Sequence, residues 1–270
     1  MKKLFSIIAL VIMSFTTFTL AACSSSNVFT YVIDESFTEY ITMGTSADYA
    51  PYEWPMNVGG KQTIVGIDIE IAKHIAQALG KNLKVVNKSF DFLLDDLQSG
   101  KVDFVMAAMT PTEARAQKVD FSNIYYEATQ VLLIQTINLN IYSSIDSLNL
   151  SSKRVGAQMG SIQADLLAEF FPNSQATILA AVPDLALRLQ QGQLDGLIVE
   201  KPVADGYVIN LSGLSIAPFI IGEPDGGSAV AVQKGNQTLL ALINQVIADL
   251  ISSGTLDDIV AQMVILNSGE

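Results

Sequence analysis

From Tyr40 onward, short apolar runs alternate with stretches whose apolar residues recur at helical spacing. That alternation predicts an α/β architecture with largely parallel sheets. The clearest helix spans 68–80, where Ile71, Ala72, Ile75, Ala76 and Leu79 share a face. Asp68 is placed to cap its start, Glu70 suits its first turn and Gly80 can end it. A second helix is expected over 90–99, with Leu93, Leu94 and Leu97 inward, and 102–109 then reads as a buried strand. Residues 238–264 read as two helices interrupted at Ser252-Ser253-Gly254.

A weak internal repeat lies within this pattern. Leu97-Gln98-Ser99-Gly100-Lys101-Val102-Asp103 is similar to Leu189-Gln190-Gln191-Gly192-Gln193-Leu194-Asp195. Each copy reads as a helix end, a glycine turn and the start of an apolar strand, which suggests two similar lobes. Ligands of open α/β sheets bind beyond the carboxyl ends of the strands. Those ends fall near Ala108-Met109-Thr110 and near Glu200, so both are expected to face one cleft.

Composition narrows the chemistry. The net charge of -12 over 270 residues argues against nucleic acid or anionic lipid as the main partner. One cysteine, Cys23, and one histidine, His74, rule out an internal disulfide and a Cys–His metal cluster. His74 sits in the helical pattern and reads as a surface residue; no metal site, cofactor or phosphate loop is expected.

The N-terminus carries its own signal. Lys2 and Lys3 precede an apolar run from residue 4 to residue 20, and Leu20-Ala21-Ala22-Cys23 follows as a small-residue cleavage site. Leu-Ala-Ala-Cys resembles a bacterial lipobox, which implies a signal peptide over 1–22 and lipid on the Cys23 sulfur. Residues 24 to about 38 read as polar, with 23–27 as lipidated cysteine and tether. Cleavage removes two lysines and no acid, taking the charge from -12 to -14.

Several further motifs occur in order. They are Tyr49-Ala50-Pro51-Tyr52-Glu53, Gly66-Ile67-Asp68-Ile69-Glu70-Ile71-Ala72, and Ala108-Met109-Thr110-Pro111-Thr112-Glu113-Ala114-Arg115 with Val119-Asp120-Phe121-Ser122 and Tyr125-Tyr126. Val155-Gly156-Ala157-Gln158-Met159-Gly160-Ser161, Val199-Glu200-Lys201-Pro202-Val203-Ala204 and Gly254-Thr255-Leu256 follow. Together they resemble the family 3 solute-binding proteins of polar amino acid transporters over residues 40 to 264. The resemblance implies a type II, two-lobe periplasmic-binding-protein-like fold with two hinge crossings. Lobe 1 takes 28–126 plus 227–270 and lobe 2 takes 127–226. Crossings are expected near Tyr126-Glu127 and Gly226-Gly227.

The resemblance also implies a ligand set. Arg115 offers a bidentate fork for an amino acid α-carboxylate. Thr110 and the Ala108 carbonyl contact its main-chain groups, and Glu200 takes its ammonium. Gly160-Ser161-Ile162 forms a helix N-terminus whose free N–H groups suit a carboxylate; Ile162 stands where many relatives carry Thr, leaving Ser161 as the side-chain candidate. Tyr49 and Phe90 sandwich the ligand side chain, with Gln158 and Glu53 toward its pocket. Ser46 stands where lysine/arginine/ornithine binders carry an acid.

The expected function is a monomeric, lipid-anchored, extracytoplasmic receptor of an ABC importer, not an enzyme. It hands a polar or basic L-amino acid, arginine ahead of glutamine or histidine, to a membrane permease. Periplasmic cyclohexadienyl or arogenate dehydratases on the same fold, and sensor ligand domains, are the alternative classes; sensor domains are normally fused to a transmembrane helix and signalling module, and neither is read in this sequence.

Overall fold

The computed structural model describes residues 27–222 and 226–269. The signal-peptide and lipobox residues, and Glu223-Pro224-Asp225 (expected as a solvated loop), lie outside them.

The chain folds as two α/β lobes and crosses between them twice. The first pass builds β1 (Val28–Tyr31), β2 (Tyr40–Thr45), a ribbon of β3 (Trp54–Val58) and β4 (Lys61–Val65), α1 (Ile67–Ala78) and β5 (Asn82–Asn87). It continues through a 3-10 turn at Phe90–Phe92 into α2 (Leu93–Gln98), β6 (Phe104–Val105), α3 (Glu113–Ala116) and β7 (Val119–Tyr126). The second lobe holds β8 (Gln130–Gln135), β9 (Arg154–Gln158), α4 (Ile162–Phe170), β10 (Gln175–Leu179), α5 (Val182–Gln190), β11 (Gly196–Glu200), α6 (Lys201–Asn210) and β12 (Leu214–Ile220). The chain then returns with β13 (Ser228–Gln233), α7 (Gln237–Ser252) and α8 (Thr255–Ser268).

One sheet runs β1-β5-β2-β6-β13-β7 and the other β10-β9-β11-β8-β12. Both are mixed rather than largely parallel. β2 lies parallel to β5 and β6, and β9 parallel to β10 and β11. The strands next to the crossings, β7 with β13 and β8 with β12, are antiparallel to their neighbours, because each crossing delivers the chain from the opposite end of the sheet. The two crossings touch: a Cβ on Gly227 would lie 2.2 Å from the Tyr126 carbonyl oxygen, and Gly227 holds φ +87°.

The stretch read as a polar tether up to about residue 38 is corrected in part. Val28–Tyr31 pairs antiparallel with β5, because its alternate side chains pack onto the core edge. The buried stretch 102–109 pairs as a strand only at Phe104–Val105, since Ala108 takes a left-handed φ of +46° and turns the chain out of the ladder. α7 and α8 fall where the helical spacing placed them, and α8 also touches α6 of the other lobe, where the Asn210 amide donates to the Asn267 carbonyl at 2.8 Å.

The internal repeat has a shared physical basis. Asp103 accepts from the Thr42 N–H at 2.7 Å and its own N–H donates to the Thr42 carbonyl. Asp195 does the same with Arg154, at 2.9 Å. In each lobe the aspartate after the glycine turn clamps the start of the neighbouring strand. A glutamine on a partner strand, Gln233 or Gln135, donates to a carbonyl at the preceding helix end.

Asp68 does not cap α1. Gly66 is the N-cap, and the N–H groups of Ile67 and Asp68 donate to the Pro51 and Tyr52 carbonyls at 3.0 and 3.1 Å. The backbone of the 49–53 turn therefore caps the helix, and Asp68 turns inward at 0% exposure. Gly66 makes this docking possible: its φ is +141°, and a Cβ there would lie 1.9 Å from the Tyr52 carbonyl oxygen. Gly66→Ala is expected to destabilise the fold by about 1–3 kcal/mol or more, read as a lowered midpoint in chemical denaturation; an unchanged midpoint refutes the docking role.

Candidate functional site

Arg115 projects from α3, a short helix capped by Thr112, whose hydroxyl accepts from the Arg115 N–H at 3.3 Å. One guanidinium nitrogen donates to the Thr110 carbonyl at 2.7 Å, and the other crosses to the second lobe to meet the Gly160 carbonyl at 3.1 Å. Its face stacks on the Phe90 ring, 5.3 Å from the centroid. No carboxylate among the described residues forms an ion pair with it: Asp120, a sequence neighbour, is held by Lys234 at 2.8 Å. Burial lowers the Arg115 pKa to about 10, which leaves it charged at neutral pH. A half-buried cation held by carbonyl dipoles and an aromatic face, with no ion-pair partner among the described residues, is suited to receive an anion.

Glu200 ends β11 and is 1% exposed. It is not neutralised by the adjacent Lys201, which pairs with Asp205 at 2.6 Å. The Glu200 N–H donates to the Tyr49 hydroxyl at 3.0 Å, and Gln163 reaches the same hydroxyl at 3.4 Å while bonding Gln130 at 2.8 Å. Tyr49 thus joins the first lobe to the second. Its ring stacks on Tyr52 with centroids 5.9 Å apart, and Tyr52 meets Tyr126 edge-on at 5.7 Å. Burial, then the Glu200 charge, raises the pKa of all three tyrosines.

The first-lobe wall of the cleft is set by Asp68, whose role was not legible as assigned. One oxygen accepts from the Ala108 N–H at 3.0 Å and the other from the Tyr125 hydroxyl at 2.7 Å. This holds Ala108 in its left-handed conformation just ahead of Thr110, whose carbonyl steadies Arg115. A signal for it existed: Asp68 shares the i, i+3, i+4, i+7 face with Ile71, Ala72 and Ile75, so a cap at that position would have broken the apolar stripe.

Asp48, also missed, makes a second bridge. It accepts from Gln158 Nε2 at 3.1 and 3.3 Å and from the Val182 N–H at the start of α5 at 2.9 Å, while the Ser46 hydroxyl steadies it from its own lobe at 3.0 Å. Gln158 is therefore committed to Asp48 and to the Ala180 carbonyl at 3.1 Å. Ser161 is the N-cap of α4, its hydroxyl accepting from the Ala164 N–H at 3.3 Å and donating to the Gln158 carbonyl at 2.8 Å, and half-buried Ile162 opens that helix.

Glu53 stands apart from the cleft lining. It is 0% exposed, and neither carboxyl oxygen meets a protein donor. Burial first, and then the charge of Asp68, pushes its carboxyl well above the usual range. The structure brings Tyr49, Arg115 and Glu200 together at the interlobe seam, with Phe90 and Thr110 against Arg115, Ala108 held by Asp68 and Ser161 next to Gly160 at the start of α4; it puts Gln158 on the Asp48 bridge and leaves Glu53 enclosed. Asp48→Ala removes the bridge's acceptor and is expected to weaken capture of every ligand alike, by about tenfold or more. Small-angle scattering of the ligand-free variant should show a larger radius of gyration than wild type; identical scattering and affinity would refute the bridge.

With this geometry in place, similarity to known proteins becomes interpretable. The family model of bacterial extracellular solute-binding proteins, family 3, matches residues 41–264. The arginine-binding extracellular protein ArtP of Bacillus subtilis is 34% identical over 247 residues, covering 89% of this chain and 91% of that one. The glutamine-binding protein GlnH of the same organism is 30% identical, covering 96% of each chain. The crystal structure of AbpA from Streptococcus pneumoniae, an amino acid ABC transporter substrate-binding protein bound to L-arginine, superposes with a TM-score of 0.82 at 36% identity, covering 84% of this chain and 95% of that one. All three are named as binding proteins rather than enzymes, GlnH and AbpA as binding components of ABC transporters. The chain, with two α/β lobes meeting at a half-buried arginine, belongs to the family 3 bacterial extracellular solute-binding proteins and works outside the cytoplasm.

Proposed function

We propose that this protein is the receptor of an ABC importer and captures a polar or basic L-amino acid between its lobes, arginine first, then glutamine or histidine. The observation that carries the reading is Arg115: half-buried, charged, without an ion-pair partner among the described residues, and hydrogen-bonded to one carbonyl from each lobe. In this reading the ligand α-carboxylate takes the guanidinium fork together with the N–H groups at the start of α4, near Ser161 and Ile162. The ligand ammonium goes to Glu200 and the Ala108 carbonyl, with Thr110 beside them. Tyr49 and Phe90 flank the ligand side chain and Gln158 closes its far end through Asp48, with Glu53 outside the contact set.

Arginine leads for two reasons. One relative of similar length is named for it, and a solved neighbour is bound to it. Half-buried Asp48 and the buried acids Asp68 and Glu200 also bias the seam toward cationic groups. The lobes divide as 28–126 plus 227–270 and 127–226. Because hydrogen bonds cross the seam, the closed shape is the one a permease in the cytoplasmic membrane would read. A signal peptide over 1–22, lipid on Cys23 and a tether through 27 would hold a monomeric receptor at the membrane.

Arg115→Ala is expected to weaken every accepted ligand, because all share the α-carboxylate. Losing one member of a buried charge pair costs about 2–5 kcal/mol, or roughly 30- to several-thousand-fold in affinity. Glu200→Gln should weaken all ligands through the shared ammonium. Calorimetric titration with arginine, glutamine, histidine and citrulline is the measurement, and normal binding by Arg115→Ala overturns the assignment. Cys23→Ser should abolish lipid labelling and yield released protein or uncleaved precursor; unchanged labelling and membrane fractionation exclude the anchor.

A further inference from the structure

Behind the cleft wall lie two carboxyl groups with opposite hydrogen-bonding needs. Asp68 accepts two donors, the Ala108 N–H and the Tyr125 hydroxyl, one on each oxygen. Glu53 is equally buried and neither of its oxygens meets a protein donor. An ionised carboxylate enclosed without a donor is among the costliest groups a protein interior can hold. A neutral carboxylic acid in the same place is itself a donor, and its neighbour Asp68 has acceptor capacity to spare. We propose that Glu53 is a positioning residue that carries a proton in the folded protein and donates it, as a hydrogen bond, to Asp68, so fixing the Ala108 backbone at the cleft wall.

The groups facing Glu53 support this division of roles. Asp68 comes from α1, Tyr125 from β7, Tyr49 from the turn after β2, Asp48 from the same turn and Glu200 from the end of β11. None is cationic, so nothing among them favours the ionised form of Glu53. Its pKa is raised well above the ordinary value, by burial first and the Asp68 charge next, while that of Asp68 rises only to about 6 because its two donors oppose its burial. Two donors face Asp68 and none faces Glu53, so the proton belongs on Glu53. Its purpose is mechanical: Ala108 is a non-glycine residue in the left-handed region, which costs free energy unless its surroundings over-determine it. The Asp68 carboxylate supplies that constraint, and Glu53 holds the carboxylate in place without adding a second charge. The inference rests on the amino-acid-binding reading for its effect on ligands, but not for the proton itself.

The linkage has a definite sign. An acid whose pKa is higher folded than unfolded takes up a proton on folding, so its contribution to stability falls as pH rises through the window between the two values. For Glu53 that window opens near the ordinary 4.5 and extends upward, above the range in which Asp96, Asp120 and Asp195, with lowered values, act with the opposite slope. Glu53→Gln supplies a neutral donor of the same shape and removes this dependence. Relative to wild type it should therefore gain stability steadily from mildly acidic to mildly alkaline pH.

The decisive experiment combines binding and infrared spectroscopy on the full chain. Wild type labelled with 13C-glutamate should show the carbonyl stretch of a protonated, isotope-shifted carboxylic acid at neutral pH, and Glu53→Gln should lack it. Glu53→Gln should bind arginine, glutamine and citrulline within about threefold of wild type. Glu53→Ala should weaken all three alike, by about tenfold, because Asp68 loses a hydrogen bond to a charged group. Absence of the protonated-glutamate band in wild type overturns the proposal. So does a Glu53→Gln variant that loses arginine selectively while keeping citrulline, since that is the behaviour of an ionised ligand contact. If Glu53→Gln fails to fold, the labelled wild-type spectrum decides alone. If wild type binds no amino acid, the transport reading falls while the band and the pH dependence still test Glu53.

Discussion

A half-buried guanidinium with no ion-pair partner among the described residues is the constraint around which the seam between the lobes is arranged. Two carbonyl dipoles and an aromatic face make the burial of Arg115 tolerable, but they do not neutralise it. The surrounding structure is spent on holding that charge still: Thr112 caps its helix, the Thr110 carbonyl fixes one nitrogen, and the Gly160 carbonyl ties the other to the opposite lobe. The acids gather elsewhere, around Tyr49 and Tyr52, so the seam separates positive from negative rather than pairing them. A zwitterion suits such an arrangement better than any group of a single sign.

The second dependence runs through two consecutive residues. Asp48 and Tyr49 each make a hydrogen-bonded bridge to the second lobe, one at the start of α5 and the other at the end of β11. Both belong to a turn whose backbone caps α1, and α1 carries Asp68. The bridging turn, the helix and the Ala108 wall are therefore one mechanical unit, and the absence of a side chain at Gly66 is what allows its parts to meet.

Much of the fold was legible in periodicity. α1, α7 and α8 show their apolar faces at helical spacing, and the aspartates of the internal repeat mark the same strand clamp in both lobes. What failed did so for physical reasons. An acid at the second position of a helix is usually a favourable charge on an exposed first turn, and only tertiary burial reveals Asp68 as a core acceptor. The strand over 102–109 was cut short by a single left-handed residue that no propensity anticipates. At the seam, the motif residues converge as a set, whereas Asp48 was invisible: its partners Gln158 and Val182 lie more than a hundred residues away and leave no trace in local pattern.

The place of β13 has a consequence for how the chain acquires its shape. It lies between β6 and β7, in the interior of the first sheet, although it is made after the whole second lobe. The second lobe's sheet is drawn from one continuous stretch of chain, so it can close as soon as that stretch is available. The first cannot: until Ser228–Gln233 arrive, β6 and β7 lack their shared partner and expose unpaired edges. For a protein that emerges amino end first, the inserted lobe is then the early folder and the lobe begun earlier is the late one. The gap between them is the period in which the nascent receptor is most open to aggregation.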